Sequence, residues 1–248
     1  MINGSYPYEN GKTWILISCD VTYFEEHAPA FIYSAAKNNH NVHVNVVNAN
    51  EKSYSLYTLI QNDIRKLYGT ALSFTKSTSY LNDMNVEEKR SFYAASRFLV
   101  MPDIMMNSNV RQFFISDTDS IILHNLPIPS KDIGLFVRPN EPDEMKVAAG
   151  IVYISNDMGY SFINDVAKKI LSTTRYFWFK DQIILNEMRK KYKTYIEPID
   201  HQYMDWQFET KDVYIWTGKG DRKYNNQTYV DFKKSNNLLP SIKERFWI

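Results

Sequence analysis

The chain has 248 residues, of which 44% are hydrophobic and 23% are charged, and its formal net charge at pH 7 is +1. This length and composition predict one globular domain with a sizeable core. The near-neutral charge and the lack of a long lysine or arginine run argue against a general nucleic-acid binder. The first residues lack the pattern of a signal peptide, and no apolar run reaches the roughly 20 residues of a membrane span. We therefore expect a cytoplasmic protein with no transmembrane segment.

The sequence contains a single cysteine, Cys19, within the apolar run Trp14–Cys19. One cysteine excludes an internal disulfide, which fits a reducing cytosol. Its apolar neighbours indicate a small core residue and not a nucleophile.

The hydrophobic pattern predicts strands and helices that alternate in the first half of the chain and mix later. Asn85 and Glu88 form a capping-box pattern at the start of one helix, and Pro102 predicts its end. In chain order we predict a strand over 14–19, a helix over 30–37, a strand over 43–47, helices over 55–68 and 86–100, a strand ending at Asp117, strands over 133–137 and 149–154, helices over 160–171 and 180–191, and strands over 194–199 and 213–216. This order predicts an α/β fold with a largely parallel central sheet flanked by helices.

The strongest local signal is an apolar run of strand type, 112–116, that stops at two carboxylates, Asp117 and Asp119. Buried parallel strands are short and continuously apolar, and ligands of open α/β sheets bind beyond their carboxyl ends. The natural partner of two acidic side chains there is a hard divalent cation that also holds phosphate oxygens. The Asp-x-Asp pair alone is weak evidence, because such pairs also occur in surface turns.

Three further groups of residues near the predicted strands could contact a ligand. Asp20 and Tyr23 follow the first strand, where a nucleotide base would lie, although Tyr23 could equally be an ordinary loop residue. Arg97, on the helix before the acidic strand, could pair with a phosphate or with one of the two aspartates, or be a plain surface arginine. Ala149 and Gly150 would let a ligand approach a strand closely, or serve packing alone.

Two further segments lie in the second half of the chain. Asp181 and Gln182 place an acid and an amide at a helix start, where Asp181 could instead be a helix cap. The segment 216–223 is a basic glycine turn with Gly218, Lys219 and Lys223. Exposed N–H groups and positive charge in such a turn suit a pyrophosphate, and a solvated hairpin tip is the structural alternative.

Taken in order over roughly residues 13–224, these segments resemble a GT-A-fold glycosyltransferase, closest to the family 8 or glycogenin-like pattern. The resemblance implies a single catalytic domain, 1–248, with a nucleotide-binding half at about 13–125 and an acceptor-binding half at about 126–248. It implies transfer of a sugar from a nucleotide-sugar donor, of UDP-glucose or UDP-galactose type, to a glycan or other hydroxyl acceptor. It also implies Mn²⁺ or Mg²⁺ as the cofactor.

The resemblance also implies roles for individual residues. Asp117 and Asp119 would hold the metal; the nucleotide and its phosphates would contact Asp20, Tyr23, Arg97, Gly218, Lys219 and Lys223; the sugar would contact Ala149, Gly150 and Gln182. If transfer inverts the anomeric centre, a general base is needed, for which Glu141, Asp143 or Asp181 are candidates; retention would place Asp181 or Gln182 at the reactive face of the sugar. The family usually has a histidine as a third metal ligand before the glycine turn, where this chain has Trp216; His201 lies upstream.

Two other classes of function are compatible with parts of the sequence. The segment 113–121 also resembles the phosphatase motif of the haloacid-dehalogenase family, in which Asp117 would be the nucleophile. That motif normally follows the first strand of its domain, whereas about 110 residues precede it here. A non-catalytic nucleotide- or glycan-binding protein would keep Tyr23 and the glycine turn but would not need both carboxylates.

Overall fold

The computed structural model describes residues 2–236. Within that range the strands form an eight-stranded and a three-stranded sheet. The strands are β1 (Ile2–Gly4), β2 (Trp14–Asp20), β3 (Asn41–Val47), β4 (Leu72–Ser77), β5 (Gln112–Ser116), β6 (Ser120–Ile122), β7 (Ile133–Val137), β8 (Val147–Ser155), β9 (Ile196–Ile199), β10 (Met204–Asp205) and β11 (Ile215–Thr217). The helices are α1 (Val21–Lys37), α2 (Glu51–Tyr68), α3 (Val86–Asn107), α4 (Asn156–Leu171), α5 (Lys180–Lys191), α6 (Arg222–Asn225) and α7 (Gln227–Asn236).

The large sheet has the strand order β1-β4-β3-β2-β5-β8-β7-β9. Strands β4, β3, β2 and β5 pair in parallel, which confirms the parallel sheet predicted for the N-terminal half. Beyond β5 the sheet is mixed, since β8 is antiparallel to both β5 and β7. The small sheet, β10-β11-β6, joins the strand that follows Asp119 to the strand that precedes the glycine turn.

Helices cover both faces of the large sheet and form two apolar clusters. On one face α1 and α2 pack with side chains such as Phe31 and Ile60 against the strands. On the other face α3, α4 and α5 bury side chains such as Phe98, Phe162 and Leu185. This three-layer arrangement confirms the α/β fold class. Cys19 is buried in the first cluster, as predicted, and burial raises the pKa of its thiol.

Helices α2 and α4 each begin four residues before the predicted start, and the boundaries predicted at Pro29 and Pro102 were wrong. Helix α1 begins at Val21 and contains Pro29, because the Asp20 side chain caps it by accepting a hydrogen bond from the Tyr23 N–H at 2.7 Å. Helix α3 continues past Pro102 to Asn107, and the buried side chains of its second half, Ile104 and Met105, pack in the apolar cluster. In both helices capping and burial outweigh the hydrogen bond that an internal proline removes. The capping box at Asn85 is confirmed.

The hydrophobic pattern did not predict the short or polar strands. Strand β4 has the sequence LSFTKS and lacks a continuous apolar run, and β1 has only three residues. The strand predicted from 194 begins at Ile196, after a 3-10 turn over Lys193–Tyr195. Within residues 2–236, the helices are too short or too polar to qualify as membrane spans.

Candidate active site

The acidic pair lies where the strand order of the large sheet reverses. From β2 the chain continues through β3 and β4 to one side, while β5 pairs on the other side. The two parallel strands end at Asp20 and Ser116, so the carboxyl end of β2 lies next to Asp117. A crevice at such a reversal point is where open α/β sheets bind ligands.

Asp119 is a buried carboxylate with two donors on one oxygen. It is 8% exposed, and its Oδ2 accepts hydrogen bonds from the Tyr23 hydroxyl at 3.1 Å and from Lys223 Nζ at 2.8 Å. Lys223 Nζ also contacts the Tyr23 hydroxyl. Burial and the Asp117 charge raise the pKa of Asp119, whereas Lys223 lowers it. Lys223 therefore serves as the counterion of Asp119.

Arg97 connects Asp117 to Asp181 and to the β8 residue Ala149. Its guanidinium lies 2.9 Å from Asp117 Oδ1 and 3.4 Å from Asp181 Oδ2, and it donates to the Ala149 carbonyl at 3.0 Å. Arg97 is 4% exposed, so these contacts form in a largely dry environment. Of the alternatives open for Arg97, the structure shows pairing with an aspartate. Contact with a phosphate is untested.

Gly150 allows the start of β8 to lie against the acidic pair. A Cβ atom there would come within 3.0 Å of Asp117 Oδ2 and 2.8 Å of Met204 Sδ. The Gly150 carbonyl accepts a hydrogen bond from the Asp117 N–H at 3.2 Å. A side chain at position 150 would thus displace Met204 or Asp117, and Ala149 beside it holds Arg97 through its carbonyl oxygen.

Asp181 and Gln182 begin α5 and face two different arginines. Asp181 contacts Arg97, and burial raises the pKa of its carboxyl while Arg97 opposes that shift. Gln182 Oε1 accepts a hydrogen bond from Arg138 Nη2 at 2.9 Å. Arg138 in turn lies with its guanidinium carbon 5.6 Å from the centre of the Trp206 ring. Sequence reasoning assigned no role to Arg138 or Trp206.

The glycine turn closes over the acidic pair. The Gly218 N–H donates to the Asp119 carbonyl at 2.9 Å, and a Cβ on Gly218 would lie 2.9 Å from that oxygen. Gly218 therefore allows a close approach, but its N–H is already bonded within the protein. Lys219 lies over the Trp206 ring at 5.0 Å. A cavity of about 440 Å³ beside the turn is lined by Trp206, Lys219, Gly220, Asp221, Arg222 and Asn225.

Several predicted residues lie outside this network. Glu141 is on the loop after β7, and no hydrogen bond or ion pair within residues 2–236 joins its side chain to Asp181 or to the acidic pair. Asp143 is exposed and ion-paired with Lys190 at 2.6 Å, a contact that lowers the pKa of its carboxyl. The Asp20 side chain caps α1. His201 is exposed and contacts the Phe136 ring.

The residues around the acidic pair fit a cation that is shared with a substrate. Within residues 2–236 no cluster combines three or more His, Cys, Asp or Glu side chains in metal-binding geometry. Trp216, at the position where the family usually has a histidine, is buried, and its indole N–H donates to the Thr210 carbonyl at 2.7 Å. Within residues 2–236 the carboxylate oxygens of the acidic pair come from Asp117 and Asp119, and the nearby carboxylate of Asp181 is paired with Arg97. Mg²⁺ characteristically binds through one or two carboxylates plus substrate phosphates and water.

Searches against family models and against curated proteins give no match for this chain. Solved structures do match, among them the WbbM bifunctional glycosyltransferase in its apo form (TM-score 0.63, 12% identity, covering 97% of this chain and 52% of that chain). A second is apo GlyE, a glycosyltransferase of Streptococcus pneumoniae (TM-score 0.61, 14% identity, covering 93% of this chain and 61% of that chain). A third is the galactosyltransferase LgtC in complex with donor and acceptor sugar analogs (TM-score 0.58, 12% identity, covering 94% of this chain and 99% of that chain).

The chain spans about half to three fifths of the length of WbbM and GlyE and nearly all of LgtC. At 12–14% identity these likenesses establish a shared fold and not a shared reaction. The expectation from the sequence is confirmed at this level: the chain has the GT-A-like fold found in these glycosyltransferases.

Proposed function

We propose that the chain is a metal-dependent glycosyltransferase that moves a sugar from a nucleotide-diphosphate sugar to a hydroxyl acceptor. The observation that carries this proposal is that two sets of contacts, Lys223 with Asp119 and Arg97 with Asp117 and Asp181, meet at the Asp117–Asp119 pair. This arrangement combines a pair of carboxylates suited to a cation, at the reversal point of the sheet, with a largely buried acid, Asp181, whose side chain is 12% exposed. The shared fold with known glycosyltransferases supports the same function.

In this proposal Asp117 and Asp119 hold Mn²⁺ or Mg²⁺ together with the two phosphates of the donor. The bound cation would act as a Lewis acid toward the diphosphate leaving group. Lys223 and Lys219 are the cationic side chains beside the same place, and they would stabilise negative charge on the phosphates as the sugar leaves. Arg97 would hold Asp117 and Asp181 in position through its two contacts.

The donor nucleotide is proposed to be uridine diphosphate, on the family 8 resemblance and on Asp20 and Tyr23 at the end of β2. The Tyr23 ring lies 4.5 Å from His27 and has Lys223 Nζ 4.7 Å above it. Lys223 thus lies over a ring that we propose stacks on the base. Base stacking would require Lys223 to move toward the phosphates.

Asp181 is our candidate for the residue at the reactive face of the sugar. It is largely buried beside Arg97, in contrast to the exposed Asp143 after β7. Glu141 remains the candidate base for an inverting reaction. On the acceptor side, Phe177 and Trp178 are 40% and 50% exposed and come shortly before Asp181 in the chain. Exposed aromatic rings provide flat apolar surfaces on which sugars stack, so we propose that the acceptor contacts them.

The experiment that tests this function is hydrolysis of a panel of nucleotide sugars, measured as release of free UDP. We expect release in the presence of Mn²⁺ or Mg²⁺ and none in excess chelator. The haloacid-dehalogenase alternative predicts release of phosphate from p-nitrophenyl phosphate instead, and the non-catalytic alternative predicts nucleotide binding without release. The proposal would be overturned if no nucleotide sugar is hydrolysed and the protein either releases phosphate from p-nitrophenyl phosphate or only binds the nucleotide.

Calorimetry tests the metal assignment without turnover. Because the proposed site takes two carboxylates, Asp117 and Asp119, from the described residues, Mn²⁺ should bind the protein alone weakly and bind much more tightly when UDP is present. Equal Mn²⁺ affinity with and without UDP would contradict a cation shared with the donor phosphates.

A further inference from the structure

Arg138 is a buried cation without a carboxylate partner among residues 2–236. It is 6% exposed and directly follows β7. Its one side-chain hydrogen bond goes to Gln182 Oε1, and its buried Nε has no partner in the described part of the chain. Among residues 2–236 no carboxylate oxygen lies within 4.0 Å of its guanidinium. Glu141 acts on it only at longer range, raising its pKa against the lowering effect of burial.

Positive charge accumulates around Trp206. Arg138 lies 5.6 Å and Lys219 5.0 Å from the centre of the same indole ring, and Arg222 Nη1 donates to the Trp206 carbonyl at 3.3 Å. Burial together with the charges of Arg138 and Arg222 lowers the pKa of Lys219. A buried charge is costly unless it is paired, and like charges nearby add to that cost. This group of side chains is therefore suited to an anionic ligand.

Arg138 differs from the phosphate-side lysines in its hydrogen-bond partner. In the proposed function Lys223, which contacts Asp119, and Lys219 provide the charge on the phosphate side. Arg138 instead contacts Gln182, the neighbour in sequence of Asp181, which reaches Asp117 only through Arg97. In the proposed function, Asp181 and Gln182 face the sugar. Arg138 thus lies at the sugar end of the donor site.

We infer that Arg138, held by Gln182, recognises a carboxylate on the transferred sugar, so that the preferred donor is a nucleotide-activated uronic acid. A planar guanidinium binds a carboxylate through two parallel hydrogen bonds, which a neutral hydroxymethyl group cannot form. A neutral hexose in the same place would leave the buried cation unpaired, and sites with unpaired buried polar groups discriminate strongly. This inference rests on the proposed function and narrows its donor.

Equilibrium binding tests the inference without an acceptor. The affinities of UDP, UDP-glucose and UDP-glucuronic acid, and of the matching galactose pair, would be measured by calorimetry with Mg²⁺. We expect at least one UDP-uronic acid to bind at least about tenfold more tightly than its neutral partner. Arg138→Leu should abolish that difference and leave UDP affinity unchanged, and Arg138→Lys should retain part of it. Arg111→Leu, at the exposed opposite end of β5, is the matched control and should retain the full difference.

Each outcome separates this inference from the proposed function. If the protein binds UDP but binds UDP-uronic acids and neutral UDP-sugars with equal affinity, the inference is overturned and the proposed function stands. Weakening of UDP itself by Arg138→Leu would assign Arg138 to the phosphates and also overturn it. A complete lack of UDP binding would overturn the proposed donor and the inference together. If Arg138→Leu does not fold, the affinities of the wild-type protein for UDP-uronic acids and neutral UDP-sugars still test the inference.

Discussion

Asp117 and Asp119 differ in their surroundings, although a single residue separates them. The Asp119 side chain is 11% exposed and bonded to Lys223 and Tyr23, whereas the Asp117 side chain is 29% exposed and paired with Arg97. Each carboxylate therefore has its own cationic partner. A divalent cation must compete with these partners, and bound diphosphate would help by attracting Lys223 away from Asp119.

Replacement of either aspartate by asparagine should abolish metal-dependent release of UDP and leave the fold intact. The substitution keeps the size of the side chain but removes the charge that a hard cation requires. Turnover of Asp117→Asn and Asp119→Asn would be measured over a Mn²⁺ titration, with circular dichroism to confirm folding. Asp157→Asn, on the exposed first turn of α4, is the control and should retain wild-type turnover. Full activity of either site variant would exclude the metal role.

Some of the residues at the candidate site could be predicted from the sequence, and others could not. The aspartate pair was recognisable because an apolar strand ends directly before it. Arg138 also directly follows a correctly predicted strand, so the same rule could have identified it. Trp206 had no comparable signal, because it lies beyond the two-residue strand β10 and is brought to Arg138 and Lys219 only by the tertiary fold.

At the scale of elements, the glycine turn links β11 to α6 and α7 and lies on the acidic pair. The Asp119 carbonyl accepts hydrogen bonds from the Gly218 N–H at 2.9 Å and from the Tyr229 hydroxyl of α7 at 2.6 Å. Both the backbone and the side chain of Asp119 are therefore held by this segment. The alternative of a solvated hairpin tip is wrong for Lys223, which is largely buried against Asp119.

Lys223→Ala should lower turnover by about 10- to 100-fold, because a charge-assisted hydrogen bond to phosphate contributes roughly 1.5–3 kcal/mol and about 1.4 kcal/mol corresponds to a factor of ten. If Lys223 acts on the leaving group, the loss should appear in kcat more than in the donor KM. Lys234→Ala, on the exposed side of α7, is the matched control. Wild-type kcat and KM for Lys223→Ala would remove this turn from the catalytic machinery.

Element boundaries show where sequence patterns were insufficient. Pro29 and Pro102 were interpreted as a helix start and a helix end, yet both lie inside helices. The missing information is tertiary: the residues around Pro29 are buried against the large sheet, and no local pattern reveals that burial. The capping box at Asn85 was predicted correctly because its hydrogen bonds involve only residues three positions apart.

For the whole molecule, the sheet interior contains polar groups that must remain neutral. His43 lies on β3 and is 0% exposed; its ring nitrogens bond to Ser73 Oγ at 2.7 Å and Thr75 Oγ1 at 3.0 Å on β4. Burial lowers the pKa of His43 to about 3. Burial also lowers the pKa of His40 to about 4, and burial with two nearby lysines lowers that of His27 to about 2. All three histidines are therefore neutral in the folded protein.

These histidines predict a loss of stability in mild acid. A histidine whose folded pKa is depressed contributes stability that is fully present above its unfolded pKa of about 6.5 and declines as the pH falls toward the folded value. Between pH 7.5 and pH 5, His43 alone should cost about 2 kcal/mol of unfolding free energy. His40 and His27 act with the same sign. The pKa values of Asp119 and Asp181 are raised, so these two carboxyls add stability as the pH falls, opposite to the histidines. The test must therefore compare the pH dependence of unfolding free energy between the wild type and a histidine variant.

His43→Gln isolates this effect, because glutamine can bond to the same two hydroxyls and does not titrate. The unfolding free energy of the wild type and the variant would be measured with urea at several values between pH 7.5 and pH 5. We expect the variant to lose about 2 kcal/mol less over this range than the wild type, whatever its stability at pH 7.5. Parallel curves for wild type and His43→Gln would mean that His43 is protonated inside the folded sheet, in conflict with its two hydroxyl partners and complete burial.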